Sequence, residues 1–417
     1  MLLKSDIKRI WELQKEIVAR ADTGVPRDAL NDFTIPAKHT IILTGIRRCG
    51  KSTLLFQLIG KKYPEAFYLN FDDNRLYGFD NSDLLRLDEI ISESGARILF
   101  FDEIQEVDGW ERYVRQKLDE NFKVVITGSN ASLLSRELGT KLTGRHLNIE
   151  LFPFSYSEFL TATKLKSGEA SVIRYINNGG FPEFLKSRKE EILSELFEDI
   201  LIRDIVIRYG IRDIKGLQRL ALWLISNIGN QVTGSKLKQT IGISATSTIM
   251  EYFSHLESSY LFNLVPCFSY SVRSQMISPR KVYSADNGLI TVNSASFSDD
   301  QGRKLENTIY TSLRSKHNSI FYFSGKNECD FVVTQKGKKP LVYQVCYKLD
   351  RDNLDRELGG LYEALAYFKL KDGIIITLNQ TDTFKQNGLT ANVVPVWEFL
   401  KSKTEDRRRK VQGVSSE

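Results

Sequence analysis

Nowhere in its 417 residues does the chain have a run of about 18 uncharged apolar residues, the length a helix needs to cross a bilayer. A membrane span is therefore not expected. The first residues, Met1-Leu2-Leu3-Lys4-Ser5-Asp6-Ile7-Lys8-Arg9, become charged too soon for a secretory signal. Cysteine is scarce: the four, at positions 49, 267, 329 and 346, are too scattered for a disulfide framework or a zinc pair. The four histidines are equally isolated, so no zinc site is readable. These absences point to a cytoplasmic, reduced protein. No charge of one sign dominates either, because 58 basic against 52 acidic residues leave only +6. That balance permits nucleic-acid binding without arguing for it.

What is present is concentrated near the front of the chain. Gly45-Ile46-Arg47-Arg48-Cys49-Gly50-Lys51-Ser52 has the spacing of a phosphate-binding loop: glycine, four residues, then Gly-Lys-Ser. It follows an apolar run, Ile41-Ile42-Leu43-Thr44, and leads through Thr53 into an expected helix ending near Ile59. Glycines let the backbone wrap around phosphate oxygens, and the helix N-terminus adds partial positive charge. Lys51 is expected to reach the β- and γ-phosphates, and the Ser52 hydroxyl to hold Mg²⁺. A glycine turn before an ordinary helix is the plainer alternative.

Two further segments complete the expected site. Arg97-Ile98-Leu99-Phe100-Phe101-Asp102-Glu103 is an apolar run ending in two acids, as suits a central parallel strand buried on both faces. Asp102 is expected in the Mg²⁺ shell through water, and Glu103 as the acid that polarises the attacking water. Phe122 to Asn130 forms another strand, whose Ser129 or Asn130 would bond the γ-phosphate or lytic water, or else cap a helix over Ala131 to Leu138. Ala66 to Phe71 is a further strand and Trp110 to Leu118 a helix. The alternation implies an α/β three-layer parallel sheet over residues 36–150, preceded by a helix and linker over 1–35.

The loop, Tyr68-Leu69-Asn70-Phe71-Asp72-Asp73, Phe101-Asp102-Glu103-Ile104-Gln105, Thr127-Gly128-Ser129-Asn130, Leu142-Thr143-Gly144-Arg145 and Leu151-Phe152-Pro153-Phe154-Ser155 come in one order along the chain. In this the chain resembles a prokaryotic group of AAA+-like P-loop ATPases that carry a winged helix and a restriction-endonuclease-like domain. The resemblance implies an ATPase using ATP and Mg²⁺, working as a homo-oligomer. Adenine preference rests on it and on the lack of a guanine-specific Asn-Lys-x-Asp sequence. Arg145 is then the expected arginine finger toward a neighbouring subunit, with Arg136 as competitor and a structural ion pair as the plain reading. Residues 151–216 resemble the helical lid, with a long helix over Glu195 to Tyr209; Arg203 would contact nucleotide or make a surface salt bridge.

Residues 217–292 have the rhythm of a winged helix, with Ala245 to Ser258 as recognition helix and Ser269 to Pro279 as wing. Lys236, Lys238, Thr246, Ser247 and Arg273 stand where phosphate contacts would arise, although Glu251 and Glu257 are acidic. Such a module serves DNA or protein partners. Residues 293–400 resemble the restriction-endonuclease fold, whose metal centre needs two acids and a Glu-x-Lys. Glu306 and Asp330 match, but Gln344-Val345-Cys346 replaces the last element. Strand alternation would bring Lys348 to the face of Gln344 and Cys346 as a substitute. A binding or oligomerisation platform is favoured over cleavage. Residues 401–417 form a basic tail. The leading expectation is an ATPase that moves or remodels DNA; the rival is a nucleotide-controlled switch or scaffold acting on a protein partner.

Overall fold

The computed structural model describes residues 1–128, 145–295 and 300–401. They fall into two compact units, one of residues 1–153 with 258–260, the other of 154–257 with the chain from 261 onward.

In the first unit, β1 (Thr40–Thr44), β2 (Phe67–Asn70), β3 (Ile98–Asp102), β4 (Lys123–Thr127) and β5 (His146–Glu150) form one parallel sheet, in the order β2-β3-β4-β1-β5. Strand parity divides its core. Ile42, Leu69, Phe101 and Ile126 belong to one cluster with Ile7, Leu87, Ile90, Trp110 and Val114. Those helical residues come from α1 (Lys4–Arg20), α3 (Asp83–Ser94) and α4 (Trp110–Asp119). On the other face Tyr68 meets Phe56 of α2 (Lys51–Lys61) edge-on, at 5.3 Å between ring centres. Helices thus cover both faces, giving the three layers expected. Each fully buried Leu, Ile or Phe contributes about 1.5–3 kcal/mol, which is why the two-sided apolar strands of this sheet are its anchor.

α1 does more than precede the sheet. Its Trp11 stacks on Phe67 at 4.9 Å. Gln14 accepts the Asn70 N–H at 2.8 Å and donates to the Asn70 carbonyl at 3.1 Å, as a neighbouring strand would. One side chain so occupies the open edge of β2 where it would otherwise present unpaired backbone groups.

The second unit begins with a helix, Tyr156–Thr163, closed by a reciprocal cap. Ser155 accepts the Glu158 N–H at 3.2 Å, and Glu158 accepts the Ser155 N–H at 2.8 Å. The long helix expected over Glu195–Tyr209 is present; it starts at Glu191 and widens into a π-helix over Ile200–Ile207. Helices Ile214–Ser226, Gly234–Ile241 and Thr246–Ser258 follow. A small antiparallel sheet comes next, ordered β6 (Gln231–Val232), β8 (Arg280–Ser284), β7 (Phe262–Pro266). The segment between β7 and β8 is not an extended wing; Ser271 accepts the Ser274 N–H and starts a short helix, Val272–Ile277.

The chain then builds a mixed six-stranded sheet ordered β13-β14-β12-β11-β10-β9. Its strands are β9 (Ile320–Ser324), β10 (Glu328–Val333), β11 (Leu341–Val345), β12 (Asp372–Thr377), β13 (Asp382–Gln386) and β14 (Leu389–Pro395). The Phe268 N–H donates to the Tyr322 carbonyl at 2.7 Å, so the chain leaving β7 joins the β9 edge. Cys329 and Cys346 pack among Val332, Leu361 and Ile375 as ordinary core residues, and all four cysteines are free.

Asp286 ties this unit together and makes its stability sensitive to pH. Its carboxylate accepts the Gly180 N–H at 2.7 Å and the Gly288 N–H at 2.8 Å. A Cβ on Gly179, whose φ is +68°, would lie 1.8 Å from that carboxylate. Burial raises the carboxyl from 3.8 to about 7. The folded chain therefore keeps a proton that the unfolded chain releases, and stability falls as pH rises through that window. At about 1.4 kcal/mol per pH unit the full loss is up to about 4 kcal/mol. Urea midpoints between pH 5 and 8 should decline less steeply for Asp286→Asn than for the wild type. Equal slopes would show that Asp286 ionises as freely in the folded chain as in the unfolded one.

Candidate functional site

The expected loop runs directly from β1 into α2. Gly45 has φ +138°, and a Cβ there would meet the Leu151 carbonyl oxygen at 2.1 Å, so only glycine lets the loop pass the chain leaving β5. Arg48 (φ 61°) and Gly50 (φ 101°) also take left-handed conformations, which curl the backbone between Ile46 and Lys51. Lys51 is buried, and its ammonium donates to the carbonyls of Gly45 at 3.0 Å and Ile46 at 3.3 Å. Cys49 is fully buried, and burial pushes its thiol up.

Thr44, Asp102 and Thr127 close β1, β3 and β4, so loop and acids gather at the carboxyl end of the sheet, where open α/β sheets bind ligands. Asp102 has no solvent exposure. Burial and the charge of Glu103 raise its carboxyl, against hydrogen bonds from Thr127, Ser52 and Tyr68. The Tyr68 hydroxyl bonds Asp102 at 2.9 Å. Thr127 donates to the other Asp102 oxygen and accepts the Glu103 N–H at 2.9 Å, so one hydroxyl sets both acids in register. Glu103 itself sits at φ 50°, a left-handed conformation uncommon for a residue with a side chain. This turns the chain out of β3, and Gln105 donates to the Glu103 carboxylate.

Ser52 and Asp102 thus meet, as a shared Mg²⁺ site requires, with Glu103 beside them. The donor set fits the ion: a hydroxyl and a carboxylate are hard oxygen ligands, and the hydrogen bonds named on the buried carboxylate come from the hydroxyls of Thr127, Ser52 and Tyr68. Three residues of this neighbourhood were not singled out from sequence. Tyr68 and Thr127 reach it only through strand pairing. Arg27, from the segment expected to be a linker, donates to the Cys49 carbonyl at 2.7 Å and the Phe152 carbonyl at 2.6 Å, bracing the back of the loop.

Ser129, Asn130 and Arg136 fall outside the described residues. Arg145 stands at the amino end of β5, beside the start of β1, and its guanidinium pairs with Asp119. The five-residue β1 spans about 16 Å at 3.3 Å per residue, which separates Arg145 from the loop of its own chain. Arg203 is exposed and pairs with Asp199 at 3.3 Å, the surface salt bridge considered above.

In the second unit Glu306 and Asp330 do come together, around Lys281, a residue not noticed in the sequence. Gln344 donates to Glu357 at 2.6 Å. Lys348 does not take the missing lysine's place: β11 ends at Val345 and the chain bends, so strand alternation no longer applies, and Lys348 is exposed. Among the described residues no group of three or more His, Cys, Asp or Glu is arranged to hold a metal. None of the described helices is long and apolar enough to cross a membrane.

Fold and loop together define a P-loop nucleotide-binding protein with an AAA-like domain. An AAA domain family matches residues 37–160, and a domain of unknown function, DUF8612, matches 169–300. Uncharacterized protein MJ1544 of Methanocaldococcus jannaschii is 35% identical over 398 residues, 88% of each chain. An uncharacterized protein of Haemophilus influenzae is 32% identical over 342 residues, 75% of this chain and 85% of that one. The chain belongs to the family of these proteins.

Proposed function

We propose that this protein is a cytoplasmic, Mg²⁺-dependent ATPase that acts as a homo-oligomer and couples ATP hydrolysis to binding or remodelling DNA. The observation that carries the reading is the placement of Ser52, Asp102, Thr127 and Glu103 around one loop at the carboxyl end of the sheet. Bound Mg²⁺ would neutralise charge on the phosphates. Ser52 and Asp102 would hold the ion, Lys51 and the loop N–H groups the phosphates, and Glu103 would take the proton of the attacking water. Ser129 and Asn130 would bond the γ-phosphate or the water. Arg145, distant from its own loop, would serve a neighbouring subunit after leaving Asp119.

DNA contact would fall to the winged-helix-like segment and to the restriction-endonuclease-like segment, with Lys236, Lys238, Ser247 and Arg273 exposed. A second reading, a nucleotide-controlled switch on a protein partner, draws on the segment between β7 and β8. There Tyr270, Val272, Met276 and Ile277 are all exposed, an apolar surface that suits protein better than phosphate.

The test is ATP turnover with and without single-stranded, duplex and branched DNA, using Lys51→Ala as blank. The DNA reading expects several-fold stimulation by one of these forms. A slow rate unmoved by all three would sink it in favour of the switch. In the same assay Arg145→Ala should lose turnover and regain part of it when mixed with Lys51→Ala subunits. No recovery in mixed assemblies would remove the cross-subunit role.

A further inference from the structure

The second unit carries a buried charge cluster of its own, built from no residue of the nucleotide loop. Lys281 is the second residue of β8, the middle strand of the small sheet, and is only 3% exposed. Its ammonium lies 2.6 Å from Glu328, 2.9 Å from Asp330 and 3.1 Å from Glu306. An ammonium has three N–H donors, and here three carboxylates accept them. Two residues on, and on the same face of β8, the Tyr283 hydroxyl donates to Glu306 at 2.6 Å. The Val345 N–H donates to the second Asp330 oxygen at 2.9 Å.

This geometry conflicts with a metal centre. The acids a nuclease-like centre would use are Glu306 and Asp330, and both face the Lys281 ammonium. The third position, Gln344, is already engaged: its amide donates to Glu357 at 2.6 Å and its oxygen accepts the Asp330 N–H at 3.3 Å. Burial works against the Lys281 charge, but Asp330, Glu306 and Glu328 hold its proton on firmly. Burial and Asp330 raise Glu306 to about 7, against the pull of Lys281.

We propose that Lys281 is the internal cation of this centre and stands in the place of a divalent metal. The cluster is then a closed ion network that ties β8 to the helix Gln301–Arg314 and to β10, and it does not take up Mg²⁺ or Mn²⁺. Lys281 comes from outside the α/β segment that supplies the acids, so part of their charge is offset by the preceding stretch of chain.

Mn²⁺ titration of the nucleotide-free full-length chain, followed by the electron paramagnetic resonance of the free ion, tests this. Ser52 and Asp102 contribute a background, so Asp330→Asn is the reference. Wild type and Asp330→Asn should take up the same amount. Lys281→Met should hold one further Mn²⁺ at least ten-fold more tightly than the wild type, and adding Asp330→Asn should abolish that gain. Wild-type uptake that Asp330→Asn removes would overturn the proposal, since the centre would then hold metal beside the lysine. A folded Lys281→Met chain that binds no more Mn²⁺ than the wild type would overturn it too. Should Lys281→Met fail to fold, the wild-type comparison with Asp330→Asn decides alone.

Discussion

Glu103→Gln is expected to bind ATP as the wild type does and to hydrolyse it about 10²–10⁴ times more slowly, the usual contribution of a positioned general base. The substitution keeps the shape of the side chain, so the left-handed turn at φ 50° and the bond from the Glu103 N–H to Thr127 are retained. Ser52 and Asp102, which would hold the metal, keep their own partners, because Asp102 is fixed by Thr127 and Tyr68 rather than by Glu103. Only the proton acceptor is lost. The Glu103 carboxylate also carries the bond from Gln105, and a glutamine oxygen can still accept it. Single-turnover hydrolysis together with nucleotide retained through gel filtration separates the two effects. A variant that turned over at the wild-type rate would move the base to another residue. One that no longer bound ATP would show that the Glu103 charge shapes the binding site itself.

What could be read in the sequence follows physical lines. The loop and the acids of β3 were legible because central parallel strands are apolar on both faces, so a polar residue ending such a run marks the carboxyl edge of the sheet. Strand order was not legible. That β4 lies between β1 and β3 is a tertiary fact, and it alone brings Thr127 between the loop and the two acids. Gln14 and Arg27 escaped notice for the same reason: their partners, Asn70, Cys49 and Phe152, are distant in sequence. In the second unit Glu306 and Asp330 were legible by spacing, but Lys281 reaches them across 25 and 49 positions. The expectation for Lys348 failed because alternation was carried three residues past the end of β11. The short helix Val272–Ile277 was lost to a wing reading, although Ser271 and Ser274 carry a local capping signal.

Lys51→Ala is expected to weaken ATP binding at least about 100-fold, roughly 2.8 kcal/mol at 1.4 kcal/mol per decade, and also to destabilise the nucleotide-free chain. The second effect comes from how the lysine is held. Lys51 is buried and its ammonium bonds the Gly45 and Ile46 carbonyls, so it closes the loop on itself when no phosphate is present. A hydrogen bond to a charged group contributes about 1.5–3 kcal/mol, and alanine leaves both carbonyls without this donor. Part of the loss returns if water enters beside them, so a net fall of about 1–2 kcal/mol is expected. ATP must draw the ammonium from these carbonyls to its phosphates, and the measured affinity is the difference between the two sets of bonds. Calorimetric titration with ATP and urea unfolding without it give the two quantities independently. If nucleotide-free stability were unchanged while binding was lost, the loop would not depend on Lys51 for its shape. Its conformation would then rest on the glycine backbone angles and on the bracing from Arg27.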